Sequence, residues 1–341
     1  MKNIIKNKIE GGFFNKARFC TPGHKGREAV FDRECAKHDK YLDYDVTEIE
    51  DEFPCDAIAL AESKTAKLLN IPHLRFLVNG SSVGIKAALY SLGTSSGDIL
   101  ATKNIHPAIK HSAILLGAKI FYCDSLYPDE KEIRAAIKKY PSIETVVFTS
   151  PDYYGVTIKE GTGQAVVDMG KRLFIDAAHG AHFLFRPDLF DCGLFKHAFA
   201  FNLSAHKTLP SYTQTAYLAI NDKKYLESID KCLEILGTTS PSYPFYMSLE
   251  MAADYTHQHK QHYDNLYNAV QQFKKSIDCM PNDDFSRIVV TCKDGGALYK
   301  KLLNKGMVAE KYDETRVIFI VSIMDKKEDI EKLCQAILSE D

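Results

Sequence analysis

A lysine on a short link between two buried strands is unusual, because its charge loses its water there. Ser204-Ala205-His206-Lys207-Thr208-Leu209-Pro210 puts one in that position, between the apolar run His197 to Leu203 and the next, Gln214 to Ile220. An amine so placed is suited to covalent work, as a Schiff base with an aldehyde. Upstream, Leu173-Phe174-Ile175 ends in an acid, Asp176, followed by Ala177-Ala178-His179-Gly180. A Schiff-base lysine and an aspartate to hold a pyridine nitrogen are what pyridoxal 5'-phosphate requires of a protein. The plainer reading, a surface lysine in a turn, leaves Asp176 without a purpose.

Such a cofactor also needs an anion site. Phe76-Leu77-Val78-Asn79 runs as a strand into Gly80-Ser81-Ser82, and a helical segment continues to Leu92. Free backbone N–H groups at that helix start, with two hydroxyls, make a phosphate cradle. A serine there also caps the helix, and the two roles coexist. Ser204 and His206 precede Lys207 by three residues and one, so the lysine turn can bring them to the same anion. His106 stands at the mouth of a further helix, with Pro107 at its first position.

Three stretches together resemble the ornithine/lysine/arginine decarboxylase family. They are Phe174 to His182, Ser204 to Pro210 with Thr213-Gln214-Thr215, and Thr21-Pro22-Gly23-His24-Lys25. The similarity runs from about Phe19 to Asp254 and continues weakly beyond. It implies a fold type I pyridoxal-phosphate enzyme, aminotransferase-like, that decarboxylates arginine, lysine or ornithine to agmatine or a diamine. Lys207 and Asp176 would hold the cofactor, and His106 would stack on its ring. Gly80, Ser81, Ser82, Ser204 and His206 would bind its phosphate. His179 would approach the ring's phenolic oxygen or the substrate. His24 and Lys25 would lie on an arm close to the catalytic centre. A homodimer with composite active sites is expected, joined through that arm and the loop Thr238 to Tyr243. The family pattern also carries a further, proline-rich C-terminal segment that this chain lacks, and it places a lysine where Pro107 stands.

Arg316 opens the strand Val317 to Val321 in a way similar to fold type I aminotransferases, where an arginine clamps the substrate α-carboxylate. An aminotransferase or lyase therefore stays open beside the decarboxylase, as does a catalytically degenerate member with a binding or regulatory role. Asp152, Glu48 and Asp51 are candidates for the acidic far end of a pocket for a basic substrate.

The elements that must position these residues alternate. Apolar strand-like runs near Phe76, Asp98, Lys119, Thr145, Leu173, Ala198 and Ala216 are separated by helical patterns. This predicts an α/β fold with a buried, mostly parallel seven-stranded sheet. Helical texture dominates from Lys223 to about Lys275, and strands at Arg287–Cys292 and Val317–Ser322 with their helices predict a small C-terminal α/β domain. The expected division is an N-terminal arm (1–45, opening with a helix around Ile4, Ile5 and Ile9 and otherwise irregular), a large domain (46–235, with a short helix over Ala61 to Leu69 near its start) and a small one (236–341).

Composition excludes other classes. A net charge of −2 favours neither nucleic acid nor an anionic membrane as partner. Nine scattered cysteines without a C-x-x-C spacing predict free thiols in a reducing cytoplasm and no zinc site. The N-terminus lacks the apolar core of a signal peptide, and no apolar run approaches membrane-spanning length. His257, His259 and His262 have no acidic or cysteine partner at a ligand spacing, so a solvated helix face is expected rather than a metal site.

Overall fold

The structure is a computed structural model that describes residues 16–25, 27, 45–46, 54–93 and 97–339. The helix expected near the N-terminus, and the candidates Glu48 and Asp51, lie outside the described residues. The chain enters on a short strand, β1 (Ala17–Phe19). Six strands of the large sheet then follow, each after a helix or a short helix-containing link: β2 (His73–Leu77), β3 (Asp98–Ala101), β4 (Ile120–Tyr122), β5 (Ile143–Thr149), β6 (Arg172–Asp176) and β7 (Ala200–Leu203). The seventh, β8 (Ala216–Ile220), arrives after the lysine turn. Their order across the sheet is β2-β8-β7-β6-β5-β3-β4. Only β8 runs antiparallel to its neighbours, so the other six all point one way.

The near-continuous apolar character of the strands has its cause in this layering. β7 and β8 are buried along their whole length. Successive side chains turn to opposite faces. On β5, Val146 and Phe148 join one core while Val147 joins the other. Helix Ser81–Tyr90 covers the second face, packed against helices Pro107–Leu116 and Leu226–Leu236. Helix Tyr243–Gln258 packs on helix Pro54–Leu68 and on β2, and the buried Tyr217 hydroxyl on β8 donates to its Leu249 carbonyl at 2.7 Å.

The C-terminal part holds a three-stranded antiparallel sheet. β9 (Arg287–Thr291) pairs with β12 (Arg316–Ile320), which pairs with β11 (Lys311–Tyr312). Helices Gly295–Asn304 and Lys327–Leu338 pack beside it. Its apolar residues Ile288, Val290, Phe319 and Leu333 are continuous with the core on one face of the large sheet.

Two differences from the sequence-based expectations concern short segments. The arm was expected to be irregular, but β1 pairs in parallel with β10 (Met307–Ala309), from Ala17 opposite Met307 to Phe19 opposite Ala309. Three residues carry too little periodicity to be read as a strand, and the partner lies almost 300 positions away. The helix expected over Ala61 to Leu69 begins earlier, at Pro54, where proline suits a first helical turn. Among the described residues no helix is long and apolar enough to cross a membrane, and Cys20, Cys123, Cys192, Cys232, Cys279, Cys292 and Cys334 are unpaired. His262 donates through Nε2 to the Asp325 carbonyl at 2.8 Å and His259 packs on Tyr255, so each is used within the fold.

Candidate active site

Six parallel strands place their carboxyl ends on one edge of the sheet, and ligands collect at that edge in open α/β sheets. The sequence motifs sit there. Gly80-Ser81 follows β2, His106 follows β3, Ser150-Pro151-Asp152 follows β5, Asp176 ends β6 and Ser204 follows β7. Thr213 to Thr215 precede the antiparallel β8 and so reach the same edge.

The lysine turn is one helical turn, Ala205–Thr208, stopped by Pro210. Lys207 is half-buried, and its Nζ lies 3.2 Å from His179 Nε2. Burial pushes the Lys207 amine below the ordinary lysine range, Arg287 adds to this, and Asp176 and Glu310 oppose it. His179 is carried by a tight turn, Ala177 to Gly180, closed by the Gly180 N–H donating to the Ala177 carbonyl at 2.8 Å. Its other nitrogen, Nδ1, lies 2.9 Å from Nη2 of Arg287. Burial first, with the Arg287 cation adding to it, holds His179 well below the usual histidine range, so the ring is neutral near pH 7. The Tyr153 ring stands edge-on to it at 5.3 Å.

Asp176 is almost fully buried. Its Oδ1 accepts from Asn202 Nδ2 at 3.0 Å and from the Ala178 N–H at 3.2 Å. Asn202 is its register partner on β7. Both bonds fall on one oxygen, and Oδ2 has no hydrogen-bond partner among the described residues. His106 is exposed, caps its helix by accepting from the Ala108 N–H through Nδ1 at 3.1 Å, and is close enough to Asp176 and Lys207 to feel both charges.

The anion cradle is open. Gly80 has φ of +79°, where a side chain would be strained, and no side chain caps the helix it precedes. A Cβ added there would meet only the Gln214 carbonyl oxygen, at 3.8 Å. Ser81 Oγ and Ser204 Oγ converge at 2.6 Å. His206 Nδ1 donates to the Thr215 carbonyl at 2.9 Å, which leaves Nε2 for a ligand. Ser82 lies in the first turn of the same helix. These groups fit a phosphate, and with Lys207 and Asp176 they fit pyridoxal phosphate: N–H donors and hydroxyls at one end, an amine in the middle, a free carboxylate oxygen at depth.

Other candidates have different placements. Lys25 is buried, and its Nζ donates to the Cys20 and Ile320 carbonyls at 2.9 and 2.7 Å, with Asp325 at 3.9 Å. It fastens the arm instead of facing a substrate. The arm itself does reach the site: the Gly23 N–H donates to the His206 carbonyl at 2.7 Å, and a Cβ on Gly23 would collide with Leu209 O at 2.6 Å. His24 sits in that same turn. Arg316 does not stand as a free clamp. It is paired with Asp313 through Nε and Nη2 at 2.9 and 2.8 Å and lies over the Tyr154 ring. Asp152 is buried and holds its own loop, accepting from Tyr127 Oη and from the Tyr154 and Val156 N–H groups.

Three groups at the site escaped the sequence reading. Arg287 is fully buried. Asn202 sat unremarked inside an apolar run. Glu310 accepts from the Thr21 N–H at 2.8 Å and from Tyr153 Oη at 3.3 Å, and its charge bears on Lys207. Arg287 had a signal of the kind that revealed Lys207, a cation abutting the apolar run Ile288-Val289-Val290.

Comparison with known proteins bears on the fold and the family. The fold is that of fold type I pyridoxal-phosphate enzymes. A serine palmitoyltransferase from Sphingomonas wittichii superposes with a TM-score of 0.74 at 13% identity, covering 94% of this chain and 85% of that one. A Francisella novicida lysine decarboxylase superposes at 0.69 and 20% identity, over 81% of this chain and 49% of its own. The family model for the Orn/Lys/Arg decarboxylase major domain matches residues 13–293, and the chain belongs to that family. Among curated relatives, the uncharacterized protein YaaO of Bacillus subtilis is 28% identical over 95% of this chain and 74% of its own length. An arginine decarboxylase of Bacillus cereus is 25% identical, over 84% and 70%.

Proposed function

We propose that this protein is a pyridoxal-phosphate-dependent decarboxylase of a basic amino acid: arginine, lysine or ornithine. The observation that carries the reading is the half-buried pair at the sheet edge, Lys207 hydrogen-bonded to a neutral His179 with Asp176 nearby on β6. Bound there, pyridoxal phosphate supplies a sink for the electron pair left at the substrate's Cα when carbon dioxide departs.

The residues divide the remaining work. Gly80, Ser81, Ser82, Ser204 and His206 hold the phosphate, and His106 covers the ring. Asp176 would hold the pyridine nitrogen through Oδ2, while Asn202 and the Ala178 N–H occupy its other oxygen. Lys207 Nζ is the group that can hold a proton and return it to Cα, with His179 beside it. Glu310 supplies a negative charge near the amine that suits a cationic substrate.

Loss of carbon dioxide is helped when the carboxylate has no strong cationic partner, since a clamp stabilises the ground state more than the neutral product. Arg316, committed to Asp313 and partly exposed, makes no such clamp, and a surface pair of this kind contributes only about 0–1 kcal/mol. Incubation with arginine, lysine and ornithine should release carbon dioxide and amine in equal amounts, and Arg316→Ala should leave turnover within roughly twofold of the parent. One feature favours a second reading, transamination or another reaction at Cα: Nε and Nη1 of the buried Arg287 have no partner among the described residues and could hold a carboxylate. A keto acid without carbon dioxide would establish that reading in place of the first.

A homodimer belongs to the same proposal. The loop after Gly237 lies beside the phosphate turn, with the Thr238 N–H donating to Asn79 Oδ1 at 3.1 Å, and Ile235 next to it is 80% exposed. Light scattering on active protein should give twice the chain mass. A fully active monomer would refute it.

A further inference from the structure

We propose that Arg287 is a positioning residue that fixes the tautomer of His179 and so presents Lys207 as a neutral amine in the cofactor-free chain. The inference rests on the reading of Lys207 as the cofactor-holding residue, and its geometry stands by itself.

The argument is one of donors and acceptors. A guanidinium only donates. With Arg287 Nη2 at 2.9 Å from His179 Nδ1, that nitrogen must accept and carries no proton. A neutral imidazole with a bare Nδ1 has its proton on Nε2. Nε2 lies 3.2 Å from Lys207 Nζ, so its N–H donates and Nζ must offer a lone pair. An ammonium has none. The order Arg287 to His179 to Lys207 is therefore self-consistent only with the uncharged amine, the form that attacks an aldehyde.

The surroundings support that order. Burial comes first in keeping His179 uncharged, Arg287, His206 and His182 add to it, and Tyr153 presents a ring edge to it. Asp176 and Glu310 face Lys207 and pull toward the ammonium. Of the three groups in the row, the guanidinium is the one that keeps its proton at any ordinary pH.

Arg287 is also built to hold still. Its main-chain N–H donates to the Asp284 carbonyl at 3.1 Å, and its carbonyl accepts from Asn282 Nδ2 at 2.8 Å. Its stem fills the space left by Gly155, where an added Cβ would lie 2.9 Å from Arg287 Cβ and Cγ. Among the described residues no carboxylate pairs with it.

The test is histidine-selective nitrogen NMR on the full chain freed of cofactor, near pH 7, with His179 assigned by loss of its signals in His179→Gln. A bare Nδ1 and a protonated Nε2 are expected in the parent. Arg287→Met should convert His179 to a tautomer mixture, and Arg287→Lys, which keeps a donor, should retain most of the parent pattern. In parallel, the rate at which the free chain gains visible absorbance with pyridoxal phosphate should rise with pH at a higher midpoint in Arg287→Met than in the parent. The proposal is overturned by a protonated Nδ1 in the parent, a result that needs no variant to fold, or by an unchanged tautomer in folded Arg287→Met. A parent with the expected tautomer that takes up no cofactor would instead sink the functional reading.

Discussion

Lys207→Ala protein will carry no visible absorbance from bound pyridoxal phosphate, and decarboxylation will fall by roughly 10⁴-fold or more, the loss of both a covalent anchor and a proton carrier. The anchor follows from placement. Lys207 is the amine at the strand edge that is both accessible and shifted toward its uncharged form, while the neighbouring buried amine, Lys25, is fully engaged by two carbonyls and Asp325. Reduction with borohydride followed by peptide mapping gives the decisive comparison. Label on Lys207 in the parent and none in the variant is expected. A variant that still takes label at another lysine would refute the assignment.

Asp176→Asn is expected to cost roughly 10²–10³-fold in turnover with little change in cofactor content, because the phosphate groups and Lys207 are left in place. On the function proposed here the carboxylate keeps the ring nitrogen protonated, and an amide cannot do so. In the parent, Oδ1 is occupied by Asn202 and Ala178, so the charge is offered through Oδ2. The variant's new amide also places an NH₂ group close to that of Asn202. Cofactor content read from absorbance, set against turnover, separates this from simple loss of binding. A variant that keeps parental turnover would remove Asp176 from the chemistry.

Much of this site was legible because its signals are local. Lys207, Asp176 and Gly80-Ser81-Ser82 each break an apolar strand at its end, and a charge or a glycine in that position demands a reason. The parallel sheet was legible because strands buried on both faces read as unbroken apolar runs. What could not be read is set by distance in the chain. That Arg287 would meet His179 across 108 positions, or that Glu310 would reach Thr21, depends on how the C-terminal sheet docks, and no short spacing records it. Arg316 looked like the functional arginine because it opens an apolar strand, yet the cation that reaches the site is on β9, its neighbour in the sheet. Strand ends alone do not say which of two paired strands faces inward.

The anchoring of the arm bears on how the protein comes to exist. Gly23 donates to the carbonyl beside Lys207, while its own carbonyl accepts from Ser322 Oγ at 2.6 Å across 299 positions. Lys25 reaches Ile320 across 295. Contacts of such separation close the largest loops a chain of this length can form, and they form late. On the ribosome, the large sheet and its lysine turn emerge well before β12 does. The nascent protein will therefore hold a sheet edge with its open anion cradle and no finished support behind the lysine until β12 has been made.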